Sequence, residues 1–216
     1  MLEDESYVFK WRMTIKPDEK QGRLMEIRDI SREALKPIYE EHMVKDFPAD
    51  ELKPWSAINA LYDRGVYQSY GLYEHDELLG YACLTRQAEA DWLLLDYYAV
   101  CAKYRSHGYG SQFITKLWAS LKDKQGIFVE IERIACAKDE AERQIRTRRR
   151  QFYLRNGLEA TRLRSKLFGV EYEMLLMPCA GPKLSDEALL EELRKVYQTM
   201  LPPKAFEALV ELSIEE

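Results

Sequence analysis

Tyr7, Phe9, Trp11, Met13 and Ile15 alternate with mostly polar residues, the two-residue period of a half-buried strand. A turn-like run, Pro17-Asp18-Glu19-Lys20-Gln21-Gly22, separates it from a second expected strand at 24–28, so the N-terminus reads as a hairpin. Ser31 is placed to cap a helix reaching about Val44. Beyond the break Asp46-Phe47-Pro48-Ala49-Asp50, a second helix is expected from Lys53 to Tyr62. The pattern then changes to strands at 66–73, 78–85 and 92–101, rich in aromatic and aliphatic residues and divided by polar turns such as His75-Asp76-Glu77. A helix at 111–122, a strand at 127–132 and a long polar helix at 139–155 follow. The last of these ends at Asn156-Gly157, where a left-handed cap fits. Strands near 159–166 and 171–177 complete this part.

The tail has a different texture. Ser185-Asp186-Glu187 opens a helix whose Leu189, Leu190, Leu193, Val196, Tyr197 and Met200 share one face, and Pro202-Pro203 divides it from a shorter helix at 206–212. So wide an apolar stripe has to be covered, either by the protein's own domain or by a second copy in a homodimer.

Composition narrows the class. A chain of 216 residues, 46% hydrophobic and 12% aromatic, can bury one sizeable core. No stretch approaches the ~20 apolar residues of a membrane span, and Met1-Leu2-Glu3-Asp4-Glu5 is acidic where a signal peptide would be basic, so a cytoplasmic protein with no membrane partner is expected. The four cysteines, Cys83, Cys101, Cys136 and Cys179, are scattered, and the three histidines have no ligand spacing, so no metal site is expected. A net charge of −5 argues against nucleic acid as a partner. The basic run Arg143, Arg146, Arg148, Arg149 and Arg150 leaves three uses open: a solvated face, a partner patch or phosphate contacts.

Chemistry concentrates at Tyr104-Arg105-Ser106-His107-Gly108-Tyr109-Gly110-Ser111, between an expected strand and an expected helix. Such a turn presents backbone N–H groups at the positive end of a helix dipole, where phosphate binds, and its glycines let an anion approach the backbone. A plain strand-to-helix connection with glycines for close packing is the other reading.

The run Arg105-x-x-Gly108-x-Gly110, followed in order by the strand at 127–131 and by Phe152-Tyr153-Leu154-Arg155-Asn156-Gly157, resembles the GNAT family of acyl-CoA N-acyltransferases over about residues 24–178. The resemblance implies an α+β fold with a mixed, mostly antiparallel central sheet flanked by helices. On this reading residues 1–22 form an N-terminal strand extension, 23–180 the acyltransferase domain and 181–216 a C-terminal helical tail. It implies acetyl-CoA as acyl donor, bound by Arg105, Ser106, His107, Gly108, Tyr109, Gly110 and Ser111 at its pyrophosphate and by backbone groups of Tyr98, Ala99 and Val100 along its pantetheine arm. The amide near Val100 is the implied oxyanion donor.

Tyr153 falls on the family's tyrosine position and is the implied general acid for the leaving thiolate; its bland alternative is a buried ring in a hydrogen-bond network. For the base, Glu130 and Glu132 point to the same face of one strand, and the family often uses a glutamate there. Glu132 is the first choice, Glu130 the reserve and Asp96 a weaker third. The family's asparagine between that strand and the tyrosine helix has no counterpart in 133–142. The expected activity is direct acetyl transfer, in a ternary complex, to a primary amine of a small molecule or peptide. The alternative is an inactive CoA-binding regulatory or interaction module.

Overall fold

The computed structural model describes residues 25–49, 51–87 and 90–216, so the expected strand at Tyr7 to Ile15 lies outside the described residues. Among the described residues the sheet has eight strands, numbered in chain order and arranged β1-β2-β3-β4-β5-β7-β6-β8. β1 (Met25–Ile30), β2 (Tyr67–Glu74), β3 (Glu77–Arg86) and β4 (Trp92–Val100) form an antiparallel meander. β4 lies parallel to β5 (Gly126–Glu132), which pairs antiparallel with β7 (Val170–Pro178), and β7 with β6 (Glu159–Leu167).

Parity along the central strands explains why Leu93-Leu94-Leu95 and Ile127-Phe128-Val129 are apolar throughout: both sheet faces are covered. Leu93, Leu95, Ile127, Val129 and Ile131 face α4 (Tyr109–Ser120) and α5 (Glu140–Arg155), meeting Phe113, Ile114, Leu117 and Tyr153. Trp92, Leu94 and Phe128 face the other way, onto α6 (Asp186–Met200). On that second side α1 (Arg32–Ile38) and α3 (Trp55–Asp63) pack Leu35, Ile38, Ile58 and Leu61 against Tyr67, Tyr81 and Tyr97.

Local chemistry sets the ends of these elements. Ser31 caps α1 by accepting from the Ala34 N–H, Asp139 caps α5 by accepting from Glu142, and Ser185 caps α6 by accepting from Ala188. Pro37 lies inside α1 and lacks the N–H that would continue the ladder; a wide turn at Tyr39–Met43 follows before the short α2 (Val44–Asp46). Gly157 takes φ 98° just past α5, the left-handed cap expected there.

The tail joins this architecture. In α6, Leu189, Leu193, Val196, Tyr197 and Met200 are buried against the sheet, so the stripe is covered by its own domain. Burial of each aliphatic side chain of this kind contributes about 1.5–3 kcal/mol. The shorter helix, expected at 206–212, instead spans Pro203–Leu209 as α7, and the chain continues as β8 (Val210–Ile214), antiparallel to β6. Val210, Leu212 and Ile214 alternate with Glu211 and Ser213, so a two-residue period was present but short enough to be read as the end of a helix.

Candidate active site

The sheet opens at its centre. β4 and β5 pair only from Trp92↔Gly126 to Leu95↔Val129, then continue to Val100 and Glu132 with no ladder between them. The parting begins at a bulge: Cys83 opposes Tyr97 while Leu84 opposes Leu95, leaving Asp96 as the extra residue on β4. The gap forms part of a cavity of about 1680 Å³ that runs through the sheet, its wall including Tyr98, Val100, Gly110, Glu130 and Tyr153.

On the edge of β4 that faces this gap, backbone groups are exposed. The Cys101 N–H donates to Leu79 O at 2.9 Å, so alternation turns the amide of Ala99 toward β3 as well and the amides of Tyr98 and Val100 toward the gap. The expected backbone contacts of Tyr98 and Val100 thus point at the cavity, while those of Ala99 belong to the sheet. The Tyr98 side chain is structural: its hydroxyl donates to Gly110 O at 2.6 Å and its ring stacks on Phe113 with centroids 5.0 Å apart.

The glycine turn sits at the end of this strand. Gly108, at φ 84°, is the N-cap residue of α4 and supplies no side-chain cap, so the first-turn N–H groups of Tyr109, Gly110 and Ser111 have no side-chain partner among the described residues. A Cβ at Gly108 would meet nothing within 4 Å, which makes φ, not space, the reason for glycine; at Gly110 it would come within 3.4 Å of Phe152. Ser106 also has a positive φ, 66°, and the exposed His107 places Nδ1 2.7 Å from Arg105 O. Arg105 is tied to β4 and α2: Nε donates to Val100 O at 3.0 Å and the guanidinium pairs with Asp46 at 2.5 Å. Asp46 also accepts from the Tyr81 hydroxyl, so it is fully engaged.

Tyr153 reaches the cavity from α5, on the α4 side of the sheet. The residue is buried, yet its hydroxyl has no hydrogen-bond partner among the described residues. Burial pushes its pKa up to about 12, moderated by the charge of Arg149, so it is a protonated donor at neutral pH.

The two glutamates of β5 differ sharply. Glu132 is clamped by Arg146 at 3.0 Å and Arg149 at 2.5 Å. Arg146 is itself buried, donates to Arg133 O at 2.6 Å and pairs with Glu142, while Arg150 pairs with Glu173. Much of the basic run therefore serves carboxylates of its own fold. Glu130 has no such clamp. Its Oε1 accepts from the Tyr197 hydroxyl, and Oε2 has no partner among the described residues. Burial drives its pKa up to about 7; the Tyr197 hydrogen bond and Lys53 oppose the rise, and the charge of Asp96 adds to it. Asp96, its side chain 4% exposed, pairs with Lys53 at 2.5 Å and accepts from the Tyr67 hydroxyl at 2.8 Å.

An opened sheet with a free amide edge, ending in an uncapped helix turn, is an arrangement for holding an extended, phosphate-bearing ligand. The sequence profile of the Acetyltransferase (GNAT) family matches residues 24–156. The chain belongs to the GNAT family. A search of the curated proteins finds no match for this GNAT protein. Among solved structures, a protein assigned to the same family from Bacteroides thetaiotaomicron superposes with a TM-score of 0.62 at 21% identity, covering 81% of this chain and 96% of the other. The ribosomal-protein-S18-alanine N-acetyltransferase of Escherichia coli matches with TM-score 0.53 at 16% identity (75% and 99% covered). The spermidine N-acetyltransferase of Vibrio cholerae, in complex with CoA and spermine, matches with TM-score 0.52 at 8% identity (71% and 95% covered). At these identities the likeness is one of fold.

Residues of this GNAT protein that sequence reasoning did not place at the site come from outside the turn. Tyr197 read as one more apolar position of α6, and Ser165, 3.0 Å from its hydroxyl, carried no signal at all. Lys53 was only the start of an expected helix. A buried polar pair is made by tertiary contact, and no local spacing announces it.

Proposed function

We infer that this protein is an N-acetyltransferase that moves an acetyl group from acetyl-CoA to a primary amine by direct transfer in a ternary complex. The observation that carries the reading is the gap itself: the amides of Tyr98 and Val100 line one edge of it, and Glu130 and Tyr153 reach it from opposite faces of the sheet. The residues fit the donor. The uncapped first turn of α4, with the open approach at Gly108, would hold a pyrophosphate, and the β4 edge would pair with an extended amide-bearing arm. The thioester, when bound, supplies the activated acyl carbon.

The protein's residues then have distinct tasks. Glu130, with a pKa of about 7 and an unbonded oxygen at the cavity, takes a proton from the attacking amine, directly or through water. This assigns the base to Glu130 in preference to Glu132, whose two oxygens are each engaged by an arginine. An amide of Tyr98 or Val100 receives the oxyanion charge that develops at the carbonyl. Tyr153 donates to the departing sulfur. At a pKa of about 12 it gives up its proton only as charge builds on that sulfur, and stays neutral otherwise. The acceptor lies on the Glu130 side, bordered by Phe47, Leu52, Tyr97 and Tyr172.

The test is thiol release from acetyl-CoA against a panel of polyamines, amino acids, aminoglycosides and peptide N-termini. Turnover with at least one amine, lost in both Tyr153→Phe and Glu130→Gln, is expected. CoA binding with no turnover across the panel would favour an inactive CoA-binding module, and absence of CoA binding would end the reading.

A further inference from the structure

Residues beyond the family match reach into the site. Tyr197 stands on α6, 41 positions past the end of that match, and its side chain is fully buried between α6 and the sheet with Leu193 and Val196. A buried tyrosine hydroxyl must find a partner, and Ser165 Oγ, at 3.0 Å, would satisfy it. Yet the hydroxyl's proton is directed to Glu130 Oε1. Phenylalanine would fill the same apolar space without bringing a polar atom to this point.

We propose that Tyr197 is a positioning residue for catalysis: its phenol, supplied by the C-terminal helix and backed by Ser165, holds the Glu130 carboxylate so that Oε2 faces the acceptor amine. The proposal rests on the assignment of Glu130 as base and deepens it. Two features of the geometry support it beyond the contact itself. Tyr197 engages one oxygen only, leaving the other on the cavity wall. And the donor arrives from α6, which is fixed against β4 and β6 by its whole apolar face, so the hydroxyl has little freedom to leave.

The charges around Glu130 set what the contact does. Asp96 on β4 opposes ionisation, Lys53 ahead of α3 favours it, and Tyr172 on β7 and Glu132 on the same strand complete the surroundings. Among these, Tyr197 is the group that hydrogen-bonds the carboxylate, and it favours the charged form needed to accept a proton. Removing it leaves burial less opposed.

The experiment is a pH profile of kcat/KM for Tyr197→Phe and Ser165→Ala beside the wild type, with the best acceptor of the panel. Taking the ratio of variant to wild type cancels the ionisation of the amine. For Tyr197→Phe the acid limb should move up by about one pH unit, the effect of losing one hydrogen bond to a charge. At pH 7 the rate should fall roughly fivefold and recover above about pH 9. Ser165→Ala should move the limb in the same direction by less. CoA affinity, measured calorimetrically, should be unchanged in both, which separates a local effect from misfolding.

An unshifted limb in Tyr197→Phe, with Glu130→Gln inactive, would overturn the positioning role and leave the base assignment standing. Full activity in Glu130→Gln would overturn both. A pH-independent loss that follows a lowered Tm in Tyr197→Phe and Ser165→Ala alike would mark the tyrosine as a core residue and also overturn the proposal.

Discussion

Replacing Glu130 by glutamine keeps the side chain's shape and an oxygen for the Tyr197 hydroxyl but removes a charge that burial penalises. A carboxyl whose pKa is higher in the folded state than in the unfolded one binds its proton more tightly when native. Native stability therefore declines as pH rises from 4.5 toward 7, and the loss is complete above that range. The span from 4.5 to about 7 corresponds to about 3 kcal/mol at roughly 1.4 kcal/mol per pH unit. Glutamine has no such slope. Glu130→Gln should therefore match the wild type within about 0.5 kcal/mol at pH 4.5 and exceed it by up to about 3 kcal/mol at pH 8, a rise in Tm of roughly 6–12 °C. Urea titrations followed by tryptophan fluorescence at the two pH values measure this, and the wild-type-minus-variant difference removes the titration of every other group. A difference that is the same at both pH values, or a wild type more stable than the variant at pH 8, would refute the claim that Glu130 is held in an unfavourable environment. The gain in stability should accompany loss of turnover, the exchange expected of a charge kept for function.

Other consequences can be checked alongside. Tyr153→Phe should lower kcat by about 10²-fold or more with little change in KM for acetyl-CoA, as loss of a general acid predicts; a change in KM alone would make the hydroxyl a binding group. Gly108→Ala, forced to keep φ 84°, should cost about 1–2 kcal/mol of stability and weaken CoA binding in titration calorimetry. Asp96→Asn leaves Lys53 without its buried partner and should cost about 3 kcal/mol in urea denaturation, whereas loss of a solvent-exposed pair such as Lys103 with Glu77 should leave the midpoint nearly unmoved. Phe168 occupies the first position of a two-residue hairpin turn at φ 49° and is 61% exposed, so Phe168→Asn should raise stability by about 1 kcal/mol.

Much of the fold was legible because its signals are local. Aromatic and aliphatic runs bounded by polar turns placed β1 to β7 within a few residues, and Ser31, Asp139, Ser185 and Gly157 ended or began helices where their side chains or φ angles required. The glycine turn was readable for the same reason, since Gly108 answers a backbone demand within its own segment. Strand β8 was not, because five residues after a helix carry too few periods to separate the two readings. The choice between Glu130 and Glu132 was also out of reach. Both lie on one face of β5, and what divides them is arginine from α5 for one and tyrosine from α6 for the other, contacts across 14 to 67 positions. Arg105 was read as an anion donor from its place beside the turn; its pairing with Asp46, a partner 59 positions away, left no mark in that segment.

The extra residue at Asp96 does more than start the parting of β4 from β5. It reverses the parity of everything after it, so that Leu93 and Leu95 share a side with Tyr98, while Trp92 and Leu94 share theirs with Tyr97 and Ala99. Deleting Asp96 would set Leu95 and Tyr97 side by side opposite Leu84 and Cys83, erasing the bulge and with it the point at which β4 parts from β5 to free the amides of Tyr98 and Val100. Residue identity at 96 is thus open to exchange at a cost in stability, but its count is not, and any insertion or deletion tolerated by relatives should fall in the turns on either side of β4.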